Sequence, residues 1–159
     1  EAFAGVRERA LGVHLALTGE RGGLKQDLAR LQLGNEVVFL GDVSHERLEA
    51  IYAAARALVF PSRYEGFGYP PLEAMGCGTP AIVSDAAALP EVVGEAGLIV
   101  PVGEVAPLRD AMMRLLEDDA LRTSLSEKSR ARAAEFSWRA LAEDTMKAYH
   151  DVLAIKEAG

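Results

Sequence analysis

The stretch from Pro61 to Pro80, Pro-Ser-Arg-Tyr-Glu-Gly-Phe-Gly-Tyr-Pro-Pro-Leu-Glu-Ala-Met-Gly-Cys-Gly-Thr-Pro, constrains this chain more than any other. It follows a short apolar run, 57–60, that reads as a buried strand. Its density of Gly and Pro prevents it from opening as a regular helix. Leu72, Ala74 and Met75 then supply helical apolar positions, and Pro80 opens a second strand-like run, Ala81-Ile82-Val83. A loop that leaves the C-terminal end of a parallel strand and enters a helix is where open α/β sheets bind ligands. Two carboxylates, Glu65 and Glu73, flank the turn. Gly66 and Gly68 carry no side chain, so the amides of Gly66, Phe67 and Gly68 can approach a ligand closely. The helix start behind them favours anionic or polar groups.

The rest of the chain is read around this loop. Strands are expected at 13–17, 37–40, 58–60, 82–83 and 98–100. Helices are expected at 1–10, 24–33 and 45–55, the last capped by Ser44. Beyond Pro101 come three helical segments, 105–117, 120–135 and 138–156, with Ser137 as the cap of the third. Strand and helix in alternation imply parallel strands with crossover helices. The expectation is a doubly wound parallel α/β core over 1–101 and a helical tail over 102–159, together forming one domain.

Composition removes several functions. The net charge of -7 disfavours a nucleic-acid surface. No apolar run approaches the roughly 20 residues that span a bilayer. The opening residues lack the charged-then-apolar arrangement of a secretion signal, and the single Cys77 cannot form an internal disulfide. A cytoplasmic protein is expected. Cys77 lies between two glycines with no His near it in sequence, so it is not read as a nucleophile. His14, His45 and His150 have no metal-ligand spacing, and no metal is expected. Gly76-x-Gly78-x-x-Ala81 precedes a strand instead of following one and is rejected as a dinucleotide motif. Arg122, Lys128, Arg130, Arg132 and Arg139 alternate with Glu127 and Glu135 and read as a solvated helix face.

The central stretch also carries a family resemblance. Glu65, seven residues, then Glu73, set within Pro-Ser-x-x-Glu-Gly-Phe-Gly and Leu-Glu-Ala-Met-x-x-Gly-x-Pro, resembles the signature of the family-4 (group 1) retaining glycosyltransferases of two-domain GT-B architecture. The similarity continues through Ser84-Asp85, the run 89–93 and the run 97–100. The chain departs from the pattern at Ala86-Ala87-Ala88, where many members carry Gly-Gly.

The resemblance implies the Rossmann-like, C-terminal, donor-binding half of such an enzyme. It places Glu65 beside the donor sugar as the catalytic carboxylate. The amides of Gly66, Phe67 and Gly68 hold sugar or diphosphate, and Glu73 accepts both ribose hydroxyls. Asp42 and Val43, after Gly41, meet the base. Arg21 is a weaker candidate for the diphosphate, and Ser84 is either near phosphate or a strand-end polar residue. The implied partners are a nucleoside-diphosphate sugar and an acceptor glycan, lipid or small molecule held by an N-terminal domain, with no cofactor. A peripheral membrane contact of the parent enzyme stays open. The fragment alone would not transfer; a silent nucleotide-sugar-binding module or an epimerase of the same fold is the alternative.

The family's opening strand would precede Glu1. Without it, the strands near 13–17 and 58–60 face a gap in the sheet. Either the sheet closes up or rearranges, or another chain fills the space, self-association included, or the strand belongs to a longer protein of which this sequence is a piece. The last helix is expected to pack onto a core through Trp138, Leu141, Met146, Tyr149 and Leu153.

Overall fold

The computed structural model describes residues 1–19 and 22–157. The elements run α1 (Ala2–Arg7), β1 (Leu15–Thr18), α2 (Leu24–Arg30), β2 (Val37–Gly41), α3 (His45–Ala54), β3 (Leu58–Phe60), α4 (Tyr69–Gly76), β4 (Ala81–Ser84), α5 (Leu89–Val93), β5 (Leu98–Val100), α6 (Val105–Glu117), α7 (Asp119–Ala134) and α8 (Trp138–Glu157). A 3-10 turn, Gly94–Ala96, joins α5 to β5.

Every strand pair is parallel, as the alternation of strand and helix requires. The described strands form two sheets, β1-β2 and β3-β4-β5. In the first, Leu15 faces Val37 and Leu17 faces Phe39 in register. In the second, Val59 pairs with Ile82, and Ile82 with Leu98. A doubly wound sheet reads 3-2-1-4-5-6. The observed order matches that series with its innermost strand left out, so β1 and β3 each keep one edge without a described partner. The two sheets are separate in hydrogen bonding and continuous in packing. One apolar cluster joins Phe3 and Val6 of α1, Val37 of β2, Ile82 of β4, Val100 of β5, and Met112 and Leu115 of α6.

Strand β4 is buried at all four residues. Ile82 points into the shared cluster, whereas Ala81 and Val83 point into a second one with Met75, Leu89 and Val93. Side chains of a strand alternate between faces, so burial of both is the mark of a central strand covered by helices on each side.

Helix α7 lies across the ends of α4 and α5. Arg132 donates to the carbonyls of Val92 and Glu91 at 3.2 and 2.7 Å, and Ser129 donates to Ala96 O at 3.0 Å. Ser126 Oγ donates to Gly78 O at 2.6 Å, and Arg130 reaches Cys77 O at 3.4 Å. Carbonyls at the C-terminal end of a helix have no partner within it, and cationic donors satisfy them. The expected solvated face is corrected accordingly: Arg130 and Arg132 tie helices together, whereas Arg122 and Arg139 make exposed pairs with Asp119 and Glu143.

Two further expectations change. Helix α2 stops at Arg30 because Gln32 takes a positive φ of 54°, two residues ahead of Gly34. Helix α8 does form, with Ser137 Oγ accepting from Ala140 N at 3.0 Å. Its apolar face does not pack: Trp138, Leu141, Met146, Tyr149 and Leu153 are all more than half exposed.

Candidate functional site

Strand β3 delivers the chain to the loop 61–68 on the C-terminal side of the three-stranded sheet. Helix α4 then opens with Tyr69-Pro70-Pro71. Proline suits the first turn of a helix because its missing N–H would be unpaired there in any case. Gly68 is the cap, with φ 107°, and an added Cβ would meet Leu89 Cδ2 at 2.7 Å. Its glycine identity is therefore fixed by backbone and packing together. Gly66 differs: it is exposed, and a Cβ there would meet nothing within 4 Å.

The amides of Gly66, Phe67 and Gly68 donate to no group among the described residues. Three successive donors at a helix start form a concavity for an anion or a polar oxygen. The side chain of Phe67 turns the other way. Its ring lies 5.0 Å from that of Tyr69 and 5.8 Å, edge-on, from that of Phe136. Arg132 sits 4.7 Å from the Phe136 ring centroid, so α7 and the stretch before α8 brace the loop from behind.

The two carboxylates occupy different surroundings. Glu65 is half-buried in the loop and accepts from Ser62 Oγ at 2.8 Å. Glu73 lies on α4 and lines a cavity of about 400 Å³ between α3 and α4, with His45, Leu48, Glu49, Tyr52, Gly76 and Cys77. Burial, and next the Glu73 carboxylate, push the Tyr52 phenol up to about 12. At neutral pH Tyr52 is thus a fixed donor beside an acceptor. Its backbone carbonyl accepts from Thr79 Oγ1 at 2.5 Å, which joins α3 to the turn after α4. Burial, and then Glu49 and Glu73, push the Cys77 thiol up. A thiol with its proton held is a poor nucleophile, in keeping with the reading of Cys77 as non-catalytic.

Asp42 is exposed and Val43 half-buried, in the turn between β2 and the Ser44 cap of α3. They stand outside the cavity lining, two or three residues ahead of His45, which belongs to it. Ser84 is fully buried and donates to the carbonyl of Ser62, which makes it a strand-end polar residue, not a phosphate ligand. Arg21 lies outside the described residues. Among the described residues, no three His, Cys, Asp or Glu side chains converge as metal ligands. Nor is any helix long and apolar enough to cross a membrane.

Sequence reading missed Tyr52, His45 and Glu49, which come from a helix rather than from the motif. The available signal was their spacing. Positions 45, 48, 49 and 52 recur at three and four residues and share one helical face, and that face turns to α4.

Comparison with known proteins agrees with this architecture. An O-antigen chain mannosyltransferase B from Escherichia coli is 44% identical over 111 residues, covering 70% of this chain and 29% of that protein. Sucrose-phosphate synthase from Thermosynechococcus elongatus superposes with a TM-score of 0.81 at 31% identity, over 97% of this chain and 42% of the other. Anabaena Alr3699/HepE in complex with UDP-glucose superposes with a TM-score of 0.75 at 26% identity, over 84% of this chain and 39% of the other. The chain thus spans well under half the length of these relatives. The family profile described as "Glycosyl transferases group 1" matches residues 1–118. With that match across the loop, both carboxylates and the parallel strands that carry them, the chain belongs to the group 1 glycosyltransferases and has the Rossmann-like α/β fold of their GT-B architecture.

Proposed function

We propose that this chain is the donor-binding part of a retaining hexosyltransferase. The parent protein transfers a sugar from a nucleoside-diphosphate donor to a glycan, lipid or small-molecule acceptor. The single observation that carries the reading is that Glu73 stands on α4, the helix that opens directly behind a loop of unpaired amides. A carboxylate accepts only, so it suits a vicinal diol, and two ribose hydroxyls can both donate to it. The amides of Gly66, Phe67 and Gly68 suit diphosphate or sugar oxygens. Glu65 faces the donor sugar, where a developing positive charge is stabilised by a fixed negative one. Asp42 and Val43 border the base from the turn ahead of α3.

The relatives support the reading by what they are named for: one is a mannosyltransferase, and another was crystallised with UDP-glucose. Residues 1–159 act as one domain in this scheme, with an α/β core over 1–101 and helices over 102–159. The acceptor site belongs to another part of the parent protein, so this chain alone binds donor without transferring. The site is assigned to the cytoplasm, where nucleotide sugars are available, and needs no metal.

Calorimetric titration with UDP, GDP and ADP tests this. One nucleotide should bind, and Glu73→Gln should weaken it about tenfold, the scale of hydrogen bonds to a charged acceptor. Equal affinity for the ribo- and 2′-deoxyribo-nucleotide would sink the ribose assignment.

A further inference from the structure

We propose that Ser62 is a positioning residue for Glu65, holding the carboxylate that the donor-site reading places against the sugar; the inference rests on that reading. Ser62 Oγ lies 2.8 Å from Glu65 Oε1 and 3.2 Å from the carbonyl of Tyr64. A hydroxyl has one proton to give, and the ionised carboxylate is the stronger and nearer acceptor. Among the described residues Glu65 has no other side-chain hydrogen bond and no cationic partner. Its neighbour Tyr64 is 79% exposed, so the adjoining loop offers little packing to hold it. Among the described residues, Ser62 is the one side chain that fixes Glu65 by a hydrogen bond.

Ser62 is itself held from the protein interior. Ser84, at the end of the fully buried strand β4, donates to the Ser62 carbonyl. The path runs from a central strand, through one buried hydroxyl, to the backbone of Ser62, and through a second hydroxyl to the carboxylate. A group that must meet a developing charge works best when its orientation is set beforehand, because reorientation then costs nothing at the moment of reaction. The arrangement gives Ser62 a task beyond forming a turn: it converts a loop glutamate into a fixed one.

The test compares wild type, Ser62→Ala and Ser62→Thr by titration with three matched pairs, UDP with UDP-glucose, GDP with GDP-mannose and ADP with ADP-glucose. The quantity read is the ratio of affinities for the sugar-bearing and the bare nucleotide within the pair that binds. Ser62→Ala should lower that ratio about tenfold, and Ser62→Thr, which keeps the hydroxyl, should restore it. A merely structural loss would weaken both ligands alike, and an unchanged ratio would overturn the proposal. If wild type binds none of the six, the donor reading has failed. A crystal structure of Ser62→Ala then decides the positioning role: a displaced or disordered Glu65 carboxylate supports it, and an unmoved one overturns it.

Discussion

The two sheets of this molecule are built from similar sequences and have different surroundings. In β3-β4-β5, the central strand is buried at every residue, with helices on both faces. In β1-β2, strand β1 alternates half-buried and exposed residues, though its Leu15-Ala16-Leu17 is wholly apolar. The difference is one of neighbours. A parallel strand is stabilised by cover on both faces and by ladders on both edges, and β1 has one described ladder and partial cover. The motif loop and Glu73 belong to the better-packed sheet, so the site rests on the firmer half of the molecule.

The largest expected effect sharpens this contrast. Ile82→Ala should cost about 3 kcal/mol in urea unfolding, since it removes a fully buried side chain from the shared cluster. Leu15→Ala, at a half-buried position of β1, should cost about 1 kcal/mol. Equal costs would mean that β1 is covered in solution and that the contrast between the sheets is mistaken.

Next comes a contrast inside the loop. Gly68→Ala should cost about 2 kcal/mol, because a positive φ and the Leu89 methyl both oppose a Cβ. Gly66→Ala should change stability by less than about 0.5 kcal/mol, there being no atom for it to strike. Thermal unfolding of the two variants reads this directly. If they behave alike, the loop is not held against α5 as described.

Much of this was legible in the sequence, for identifiable reasons. Strands β3 and β5 and helix α6 have the expected bounds because Pro61 ends the first apolar run, Gly97 and Pro101 bracket the second, and Pro101 marks the change to helix. Glu65 and Glu73 were found through the fixed spacing of the motif. The gap between β1 and β3 was expected from the family resemblance, which implies an opening strand that the usual order places at the centre of the sheet. Other features depend on tertiary partners. Arg130 and Arg132 sit among alternating charges, and no local pattern tells a solvated guanidinium from one that meets carbonyls 40 or more residues away. Tyr52 looks like any apolar position of α3 until α4 brings Glu73 to it. The apolar positions of α8 have the spacing of a packed helix, and spacing does not say whether a partner exists.

A pH series sharpens the comparison between Tyr52, which is 8% exposed, and Tyr64, which is 79% exposed. Burial and Glu73 raise the Tyr52 phenol from its ordinary 10.0 to about 12, so the folded state holds this proton more tightly than the unfolded chain does. The associated stability is complete below pH 10 and declines as pH rises through about 12. Tyr52→Phe should lack that decline. An ultraviolet titration in which every tyrosine ionises together near 10 would show that Tyr52 is not held against Glu73.

The smallest expected effect concerns α8. The chain has one tryptophan, Trp138, and it is 75% exposed at the start of that helix. Two residues earlier, Phe136 is braced by Phe67 and Arg132. Native fluorescence should therefore be that of a solvated indole and shift little on unfolding, even while the loop next to Phe136 melts with the sheet. Loss of residues 138–157 should leave the unfolding midpoint nearly unchanged, because Trp138, Leu141, Met146, Tyr149 and Leu153 are already more than half exposed. A blue-shifted native spectrum would break the contrast. If that shift fell with dilution, the cover on α8 would come from a second molecule. If it persisted, the helix would be folded back on its own chain, and the sharp boundary between Phe136 and Trp138 would have to be redrawn.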